Sequence, residues 1–320
     1  MREHIMVTGG CGYIGQLLTE SLLEEGHRVT VVDTMWFGNF LKEHNSLTII
    51  KEDIRNFKNI NISGIKTVFH LANIANDPCS DLNSKLNWEV NVLSTMEMIE
   101  HCISNNVSQF IYASSGSVYG VKDEEEVTED LSLVPITDYN KTKMISERVL
   151  LSYSNDLLIQ CIRPATVCGY APRMRLDLSV NMLTMQALVN KNITVFGGNQ
   201  TRPNIHIKDL IGVYMHLFHK KEECAGIYNA GFENMSIMDI AMLAADLSTA
   251  TIEVTKSNDP RSYRLSSKKL LETGFLPQHS VKDAMIEVID AYNSGILAME
   301  DICYNIKTMK KLCDSGIIIV

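Results

Sequence analysis

A tyrosine and a lysine with helical spacing are the residues of this chain whose types suggest acid–base chemistry. Tyr139 and Lys143 enclose three residues in the run Tyr-Asn-Lys-Thr-Lys, so in a helix they lie one turn apart on the same face. A phenol has an ordinary pKa of about 10 and is a poor base at neutral pH, but a nearby ammonium group lowers that pKa. The pair therefore predicts a tyrosine that takes a hydroxyl proton as a general base.

A glycine-rich segment near the amino terminus predicts a dinucleotide site. The segment Thr8–Gly15 reads Thr-Gly-Gly-Cys-Gly-Tyr-Ile-Gly, and it lies between an apolar run and a helical pattern. Glycines at this spacing allow a tight turn and let backbone N–H groups approach a pyrophosphate, which a helix N-terminus attracts. We predict the pyrophosphate against Gly10 and Gly12, with Gly15 allowing the helix to pack on the strand.

An aspartate at the end of the next apolar run predicts which dinucleotide binds. Asp33 follows Gly15 by 18 residues, where a carboxylate accepts hydrogen bonds from the hydroxyls of an adenine ribose. It would repel a 2′-phosphate, and the following residues Thr34 to Trp36 offer no cation. The sequence therefore favours NAD over NADP. The oxidised nicotinamide ring would add a positive charge beside Tyr139. It would also accept hydride from the carbon whose hydroxyl group gives its proton to Tyr139.

A serine-rich turn supplies a third candidate catalytic residue. Ser115 lies in the run Ser-Ser-Gly-Ser-Val-Tyr-Gly, directly after a predicted strand. In a parallel sheet the carboxyl end of that strand faces the same crevice as the glycine loop. Ser115 would then hydrogen-bond the reacting oxygen and hold it against Tyr139, although small polar residues alone also favour a simple turn.

Alternating strand and helix patterns predict the scaffold that positions these residues. Continuous apolar runs indicate strands covered on both faces, as in a parallel sheet. The patterns predict an α/β fold with a doubly wound parallel sheet of the Rossmann type. The predicted strands are His4–Thr8, Arg28–Asp33, Leu47–Lys51, Thr67–Leu71, Gln109–Ser114 and Leu158–Arg163, and the predicted helices are Tyr13–Glu25, Leu82–Asn105 and Asp138–Ser154.

The pattern changes after Pro164, which suggests two parts. We predict an NAD-binding domain over residues 1–164 and mainly a smaller substrate-binding region over residues 165–320, with segments near 206–230 returning to the sheet. No linker rich in Pro, Gly or Ser separates them, so we expect a large shared interface. Residues 298–320 have a helical pattern and an apolar end, which we expect to pack on the body or on a partner.

Composition disfavours several other partners and sites. The formal charge of −9 argues against nucleic acid as the main partner, while one or two local cations suffice for a phosphate-bearing small molecule. The eight cysteines show neither CxxC spacing nor a Cys/His cluster, so we expect reduced thiols in a cytoplasmic protein and no metal site. We also expect neither a signal peptide nor a membrane span.

An ordered series of motifs resembles one enzyme family. It comprises the glycine loop, Asp53-Ile54-Arg55, His70-Leu71-Ala72, Asn91 in Trp-Glu-Val-Asn-Val, the Ser115, Tyr139 and Lys143 set, Arg163-Pro164-Ala165-Thr166-Val167, Arg202 through Asp209, and Asp259-Pro260-Arg261-Ser262-Tyr263. The series resembles the extended branch of the short-chain dehydrogenase/reductase family, within it the NAD-dependent nucleotide-sugar epimerase/dehydratase group that includes UDP-galactose 4-epimerase.

The resemblance implies a cofactor site and a substrate site. Leu71 and Ala72 would line the cofactor, Asn91 would fix the loops beside it, and Lys143 would bind the nicotinamide ribose. The implied cofactor-binding residues are Gly9, Gly12, Tyr13, Ile14, Gly15, Asp33, Asp53, Ile54, Leu71, Ala72, Asn91, Tyr139 and Lys143, with Asp53 and Ile54 reading the adenine. The implied substrate-binding residues are Ser115, Ser117, Thr166, Arg202 and Arg261, with the two arginines binding the diphosphate.

The resemblance also implies an assembly and leaves the reaction partly open. The two long predicted helices would form a four-helix interface in a homodimer. A nucleotide-sugar 4-epimerase is the leading hypothesis. The alternative is a C4 dehydrogenase or ketoreductase, for example on a nucleotide-linked heptose, because the run from Ala171 to Asn181 resembles such enzymes and because epimerases often have asparagine at the position of Thr166. Within that run, Arg173 and Arg175 fit either substrate binding or an interdomain ion pair.

Two further functions are disfavoured by particular residues. The family's 4,6-dehydratases carry Asp-Glu directly after the serine position, where this chain has Gly116-Ser117. A non-catalytic NAD-binding protein would be expected to lack the tyrosine or the lysine, and this chain keeps Ser115, Tyr139 and Lys143.

Overall fold

The apolar runs of the sequence form the buried strands of a central parallel sheet. The computed structural model describes residues 2–256 and 262–318. Its strands are β1 (His4–Thr8), β2 (Arg28–Asp33), β3 (Leu47–Lys51), β4 (Thr67–His70), β5 (Gln109–Ala113), β6 (Leu158–Pro164), β7 (Thr166–Cys168), β8 (Asn192–Phe196), β9 (Thr201–His206), β10 (Gly226–Ala230), β11 (Glu233–Ser236) and β12 (Thr251–Thr255). Seven of them form one parallel sheet in the order β10-β6-β5-β4-β1-β2-β3. This order reverses beside β1, so the predicted doubly wound α/β fold is confirmed.

Helices cover both faces of this sheet. They are α1 (Tyr13–Glu24), α2 (Asp77–Leu82), α3 (Ser84–Trp88), α4 (Ser94–Ser104), α5 (Asp138–Ser152), α6 (Ser179–Asn190), α7 (Ile207–Lys220), α8 (Ile237–Ser248), α9 (Lys268–Glu272), α10 (Val281–Asn293) and α11 (Asn305–Asp314). Alternate residues of β1 point to opposite faces. Ile5 and Val7 pack in an apolar cluster with α1 and α7, whereas Met6 packs with α4 and α5. Both faces are therefore buried, which explains why the strands lack polar alternation.

The predicted helix Leu82–Asn105 is helical from Ser84 to Ser104, and the structure adds a break at Asn83 just before it. Asn83 has an extended backbone, with φ −152° and ψ 91°, and its side chain accepts a hydrogen bond from the Leu86 N–H. An asparagine side chain that binds the backbone in this way competes with helical hydrogen bonding. Asn83 therefore ends α2 and caps α3, and a single π-helical turn, Glu89–Leu93, then joins α3 to α4. The π-helical turn keeps the backbone helical, so the apolar periodicity did not reveal it.

The second half of the chain contributes to the large sheet and forms its own layer. Strand β10 pairs in parallel with β6 at the edge of the seven-stranded sheet. Strands β11, β9 and β7 form a three-stranded sheet, and β12 pairs with β8. Helices α6, α8 and α10 enclose a separate apolar cluster that includes Val180, Ile240 and Met285.

The carboxyl-terminal segment packs on the body. Met309 of α11 and Ile318 beyond it are buried in the same apolar cluster as Ile54 and Phe57. Helix α11 also contacts α2. Within the described residues, no helix is both long enough and apolar enough to cross a membrane.

Candidate functional site

A cleft of about 360 Å³ opens at the carboxyl ends of the parallel strands. Most of the predicted site residues line it, and none of them lines a second groove of about 680 Å³ between α1, α7 and α10. The predicted residues that line the cleft are Gly9, Gly12, Tyr13, Ile14, Gly15, Asp33, Asp53, Ile54, Leu71, Ala72, Ser115, Ser117, Tyr139, Lys143 and Thr166.

The glycine loop fits closely against two neighbouring segments. Gly9 has φ +72°, and a Cβ there would lie 2.7 Å from the backbone N of Ala72. A Cβ on Gly15 would lie 2.1 Å from the carbonyl oxygen of Gly9. The left-handed residue of the turn is Gly9, and the loop also lies close to β2 at Gly10, where a Cβ would be 2.6 Å from the Val31 side chain. Gly12 is the N-cap of α1, where free backbone N–H groups face the cleft and favour a phosphate.

Asp33 lies at the end of β2 and is partly used within the protein. Its carboxylate accepts hydrogen bonds from the backbone N–H of Met35 (2.7 Å) and of Cys11 in the glycine loop (3.0 Å). Burial raises the pKa of Asp33, while these two hydrogen bonds lower it. The carboxylate therefore orders the glycine loop from a position at the rim of the cleft.

Asp53 and Tyr13 line the cleft but have side-chain partners elsewhere in the protein. The Asp53 carboxylate accepts from the Arg55 guanidinium at 2.8 Å and from its backbone N–H. The Tyr13 hydroxyl donates to the Gly169 carbonyl at 2.6 Å. Tyr13 thus connects α1 to the residue that follows β7, a contact that its position in the glycine loop did not reveal.

Asn91 lies behind the cleft and holds the loop that follows β4. Its side chain is fully buried, accepts from the Ile74 N–H at 2.8 Å and donates to the Ile74 carbonyl at 3.2 Å. It also donates to Thr142 of α5 at 3.2 Å. The π-helical turn presents Asn91 to this loop, and such turns often occur at functional sites.

Ser115 begins the turn after β5 and lies in a short hydrogen-bonded chain. Its hydroxyl lies 2.7 Å from that of Ser117, which donates to the Asn140 side chain at 2.5 Å. Asn140 follows Tyr139 on α5, so the serine turn and the tyrosine are connected. A side-chain hydrogen bond from Ser115 also lowers the pKa of Tyr139.

The Tyr139 phenol has a raised pKa, contrary to the prediction from sequence. Burial raises this pKa to about 12, and the positive charge of Arg175 is the largest opposing influence. The Lys143 ammonium lies 5.8 Å from the centre of the Tyr139 ring. Tyr139 is therefore a protonated phenol at neutral pH in this structure, because burial outweighs the charges that the chain itself supplies.

Lys143 is almost fully buried and donates to the Ala113 carbonyl at 2.6 Å. Burial lowers its pKa to about 7, against the carboxylate of Glu147, which raises it. Burial therefore works against the charged form of Lys143 near neutral pH. Any negative charge or hydroxyl acceptor entering the cleft beside it would favour the charged form.

A buried ion pair supports the catalytic helix from behind. Arg163 of β6 donates to both oxygens of Glu147 on α5, at 2.9 and 2.6 Å, and its other terminal nitrogen donates to the Tyr119 hydroxyl at 2.7 Å. Ser114 also donates to Glu147. The pair joins α5, β6 and the serine turn. Sequence reasoning missed it, although Glu147 follows Lys143 by one helical turn on the same face.

The four arginines considered from sequence have different positions. Arg202 lies on β9, paired with Met235 of β11, and is not itself among the residues that line the cleft. Arg261 lies outside the described residues. Arg175 lines the cleft and forms a two-pronged ion pair with Asp177 at 3.0 and 3.1 Å, and Arg173 also lines the cleft.

Residues from the carboxyl-terminal segment also line this cleft, and sequence reasoning missed them. Asn305 and Met309 of α11 lie at its wall together with Phe37, Asp53 and Ile54. The backbone N–H of Asn305 donates to Asp177 at 3.3 Å. The local sequence of α11 shows only an amphipathic helix. It contains no signal that connects α11 to Asp53 and Ile54, which lie about 250 residues earlier in the chain.

The residues present fit NAD. The glycine loop has no room for a Cβ at Gly9 or Gly15, and it leads into the N-terminus of α1. A pyrophosphate needs such a close approach of backbone and such a helix N-terminus. Asp33 lies at the strand end where a ribose binds, and Lys143 and Tyr139 lie farther along the same cleft. Among the described residues, no group of three or more His, Cys, Asp or Glu side chains could hold a metal ion.

Comparison with known proteins agrees with this geometry. Residues 5–231 match the model of the NAD dependent epimerase/dehydratase family. The chain is 30% identical over 259 residues to the uncharacterized UDP-glucose epimerase YtcB of Bacillus subtilis, covering 76% of this chain and 82% of that protein. It is 25% identical over 320 residues to the UDP-glucose 4-epimerase of Corynebacterium glutamicum, covering 91% and 96%. The structure of UDP-glucuronic acid 4-epimerase from Bacillus cereus, in complex with UDP-glucuronic acid and NAD, has a TM-score of 0.81 at 29% identity, covering 92% of this chain and 100% of that one.

Proposed function

The chain belongs to the NAD-dependent epimerase/dehydratase family, and from that premise we propose that this NAD-dependent enzyme is a nucleotide-sugar 4-epimerase. The observation that carries the proposal is that Ser115, Tyr139 and Lys143 line the same cleft as the glycine loop. A sugar carbon held among these side chains can exchange its hydroxyl proton with Tyr139. Bound NAD supplies the hydride acceptor and donor and a positive ring charge.

Three residues divide the work on the sugar oxygen. Tyr139 takes the proton from the C4 hydroxyl and returns it after the 4-keto sugar has turned, which inverts C4. Ser115 holds the oxygen against the phenol. Burial raises the pKa of Tyr139 to about 12, so the neutral phenol is the form that donates the proton. The phenolate, which accepts the proton, depends on the positive charges of Arg175, Lys143 and the cofactor.

Lys143 has a second task in this proposal. Burial lowers the pKa of Lys143 to about 7. A ribose hydroxyl bound to it would add an acceptor for the ammonium group and would favour the charged form. The charge that supports the Tyr139 phenolate would then be complete only when the cofactor is in place. Arg202 and Arg261 stay proposed ligands of the substrate diphosphate, and Thr166 lies at the cleft wall where it would contact the sugar.

Product analysis tests the reaction and its alternatives. We expect incubation of the purified protein with UDP-glucose, UDP-glucuronic acid and GDP-, CDP- and dTDP-sugars to give the C4 epimer of at least one of them by NMR, with no net formation of NADH. A 4-keto product with one NADH per sugar would replace the epimerase by the C4 dehydrogenase alternative. A 4-keto-6-deoxy product would indicate dehydration, and no turnover of any sugar would contradict the proposal.

We also propose that the enzyme is a cytoplasmic homodimer. The eight cysteines are all unpaired, which suits a reducing compartment. Leu93 is 54% exposed and Met96 37% exposed, next to the start of α4 and within it. Ile145 and Val149 of α5 are partly exposed, and burying them against a second copy would remove apolar surface from water. Light scattering should give twice the monomer mass, and Leu93→Lys should shift it towards the monomer; a monomeric wild type would contradict the dimer.

A further inference from the structure

Arg173 is a buried cation whose role neither the fold nor the reaction explains. Its side chain is 3% exposed, lines the cleft, and lies 4.3 Å above the centre of the Phe37 ring. Arginine is almost never fully buried unless it is paired. Among the described residues no carboxylate forms an ion pair with it, although it lies within electrostatic range of Asp33 and Asp177.

Two of its three guanidinium nitrogens are satisfied by neutral oxygens. One terminal nitrogen donates to the Met174 carbonyl at 3.2 Å, and the other donates to the side chain of Asn305 at 2.6 Å. The Nε–H is buried and has no acceptor in the described part of the chain. A buried charged donor without an acceptor is unfavourable, so the described part of the chain leaves the guanidinium of this cleft-lining arginine incompletely paired.

The neighbourhood of Arg173 identifies which part of the ligand this is. Phe37 and Asn305 line the cleft together with Asp33, Asp53 and Ile54. The backbone N–H of Arg173 also contacts Gln16 of α1, at 3.3 Å. Gln16 lies in the first turn of α1, and Asp33 and Phe37 lie at and after the end of β2. The pyrophosphate and the adenine ribose of a dinucleotide bind at these two places. The sugar-reacting residues Ser115 and Tyr139 lie on other elements, after β5 and on α5.

We propose that Arg173 is a cofactor-binding residue whose guanidinium donates to an oxygen of the adenosine diphosphate half of NAD. Through Asn305 it also holds α11 as an outer wall over that half. The planar guanidinium is fixed by Phe37 and Asn305 before the ligand arrives, so little side-chain entropy is lost on binding. The acceptor is either a ribose hydroxyl oxygen or a phosphate oxygen.

Binding measurements without any sugar test this inference separately from the proposed reaction. We expect Arg173→Met to weaken the affinity for NAD and for ADP-ribose by about tenfold to a hundredfold, the loss of a hydrogen bond from a charged donor. Nicotinamide mononucleotide, which lacks the adenosine half, should be unaffected. Arg173→Lys should also bind weakly, because lysine keeps the charge but has neither the Nε–H nor the planar group that stacks on Phe37.

The controls separate a direct contact from damage to the fold. Arg28→Met removes an exposed arginine at the amino end of β2, opposite the cleft, and should bind NAD as the wild type does. Asn305→Ala keeps the Arg173 guanidinium but removes the hydrogen bond that joins it to α11. This variant should release bound NAD faster, because α11 is no longer held over the cofactor. Weakened binding of both adenosine and ADP-ribose would identify the ribose as acceptor, and weakened binding of ADP-ribose alone would identify the phosphate. Unchanged NAD and ADP-ribose affinity in folded Arg173→Met protein would overturn the proposal.

Discussion

Replacing Tyr139 by phenylalanine is expected to lower turnover by about a hundred- to ten-thousandfold while leaving NAD affinity nearly unchanged. Phenylalanine keeps the ring and its packing but deletes the hydroxyl that exchanges the proton. Burial raises the pKa of the Tyr139 phenol to about 12, and water in the cleft would be a poor substitute for a proton donor fixed beside Ser115.

Turnover and NAD affinity should be measured together on a sugar that the wild type accepts. Lys143→Met should impair both quantities, because Lys143 is expected to support the phenolate and to bind the ribose, and Ser115→Ala should be milder because the Tyr139 hydroxyl remains as one partner of the oxygen. Tyr153→Phe, at the end of the same helix with its hydroxyl on the exposed Glu100, is the matched control and should be neutral. Near wild-type turnover in Tyr139→Phe would mean that another group moves the proton.

Replacing Arg163 by methionine is expected to lower the free energy of unfolding by about 3–5 kcal/mol. The Arg163 and Glu147 side chains are both essentially inaccessible to water. Among the described residues, removal of the guanidinium would leave the Glu147 carboxylate with the Ser114 hydroxyl as its one side-chain donor. It would also leave the Tyr119 hydroxyl without its charged donor. An uncompensated buried charge costs much more than the lost pair itself contributes.

Denaturant unfolding of three variants would distinguish this explanation from simple loss of packing. The double variant Arg163→Met with Glu147→Leu removes both charges and should recover most of the lost stability, since apolar pairs of similar volume often replace buried ion pairs without cost. Arg148→Met, at an exposed position next to Glu147 on α5, should change stability by less than about 0.5 kcal/mol. A single Arg163 variant as stable as the wild type, or a double variant no better than the single one, would refute the ion-pair explanation.

Local signals in the sequence were sufficient for the fold and for much of the cleft. Apolar runs located β1 to β6, and all of these except the edge strand β3 are buried on both faces and therefore show no polar alternation. The glycine spacing before α1 and the one-turn spacing of Tyr139 and Lys143 located two parts of the site, because backbone geometry ties each motif to its element. The order of parallel strands then brought these parts to one edge of the sheet.

Only the tertiary structure decided what surrounds these groups. The direction of the Tyr139 pKa shift depends on burial, which the spacing of Tyr139 and Lys143 does not reveal. The ion pair of Arg163 with Glu147 joins β6 to α5, and the local sequence of neither element predicts that they pack together. The contact of Arg173 with Asn305 brings together residues 132 positions apart. Sequence patterns report the interactions of neighbours along the chain, whereas desolvation and long-range charge depend on which distant segments fold against each other.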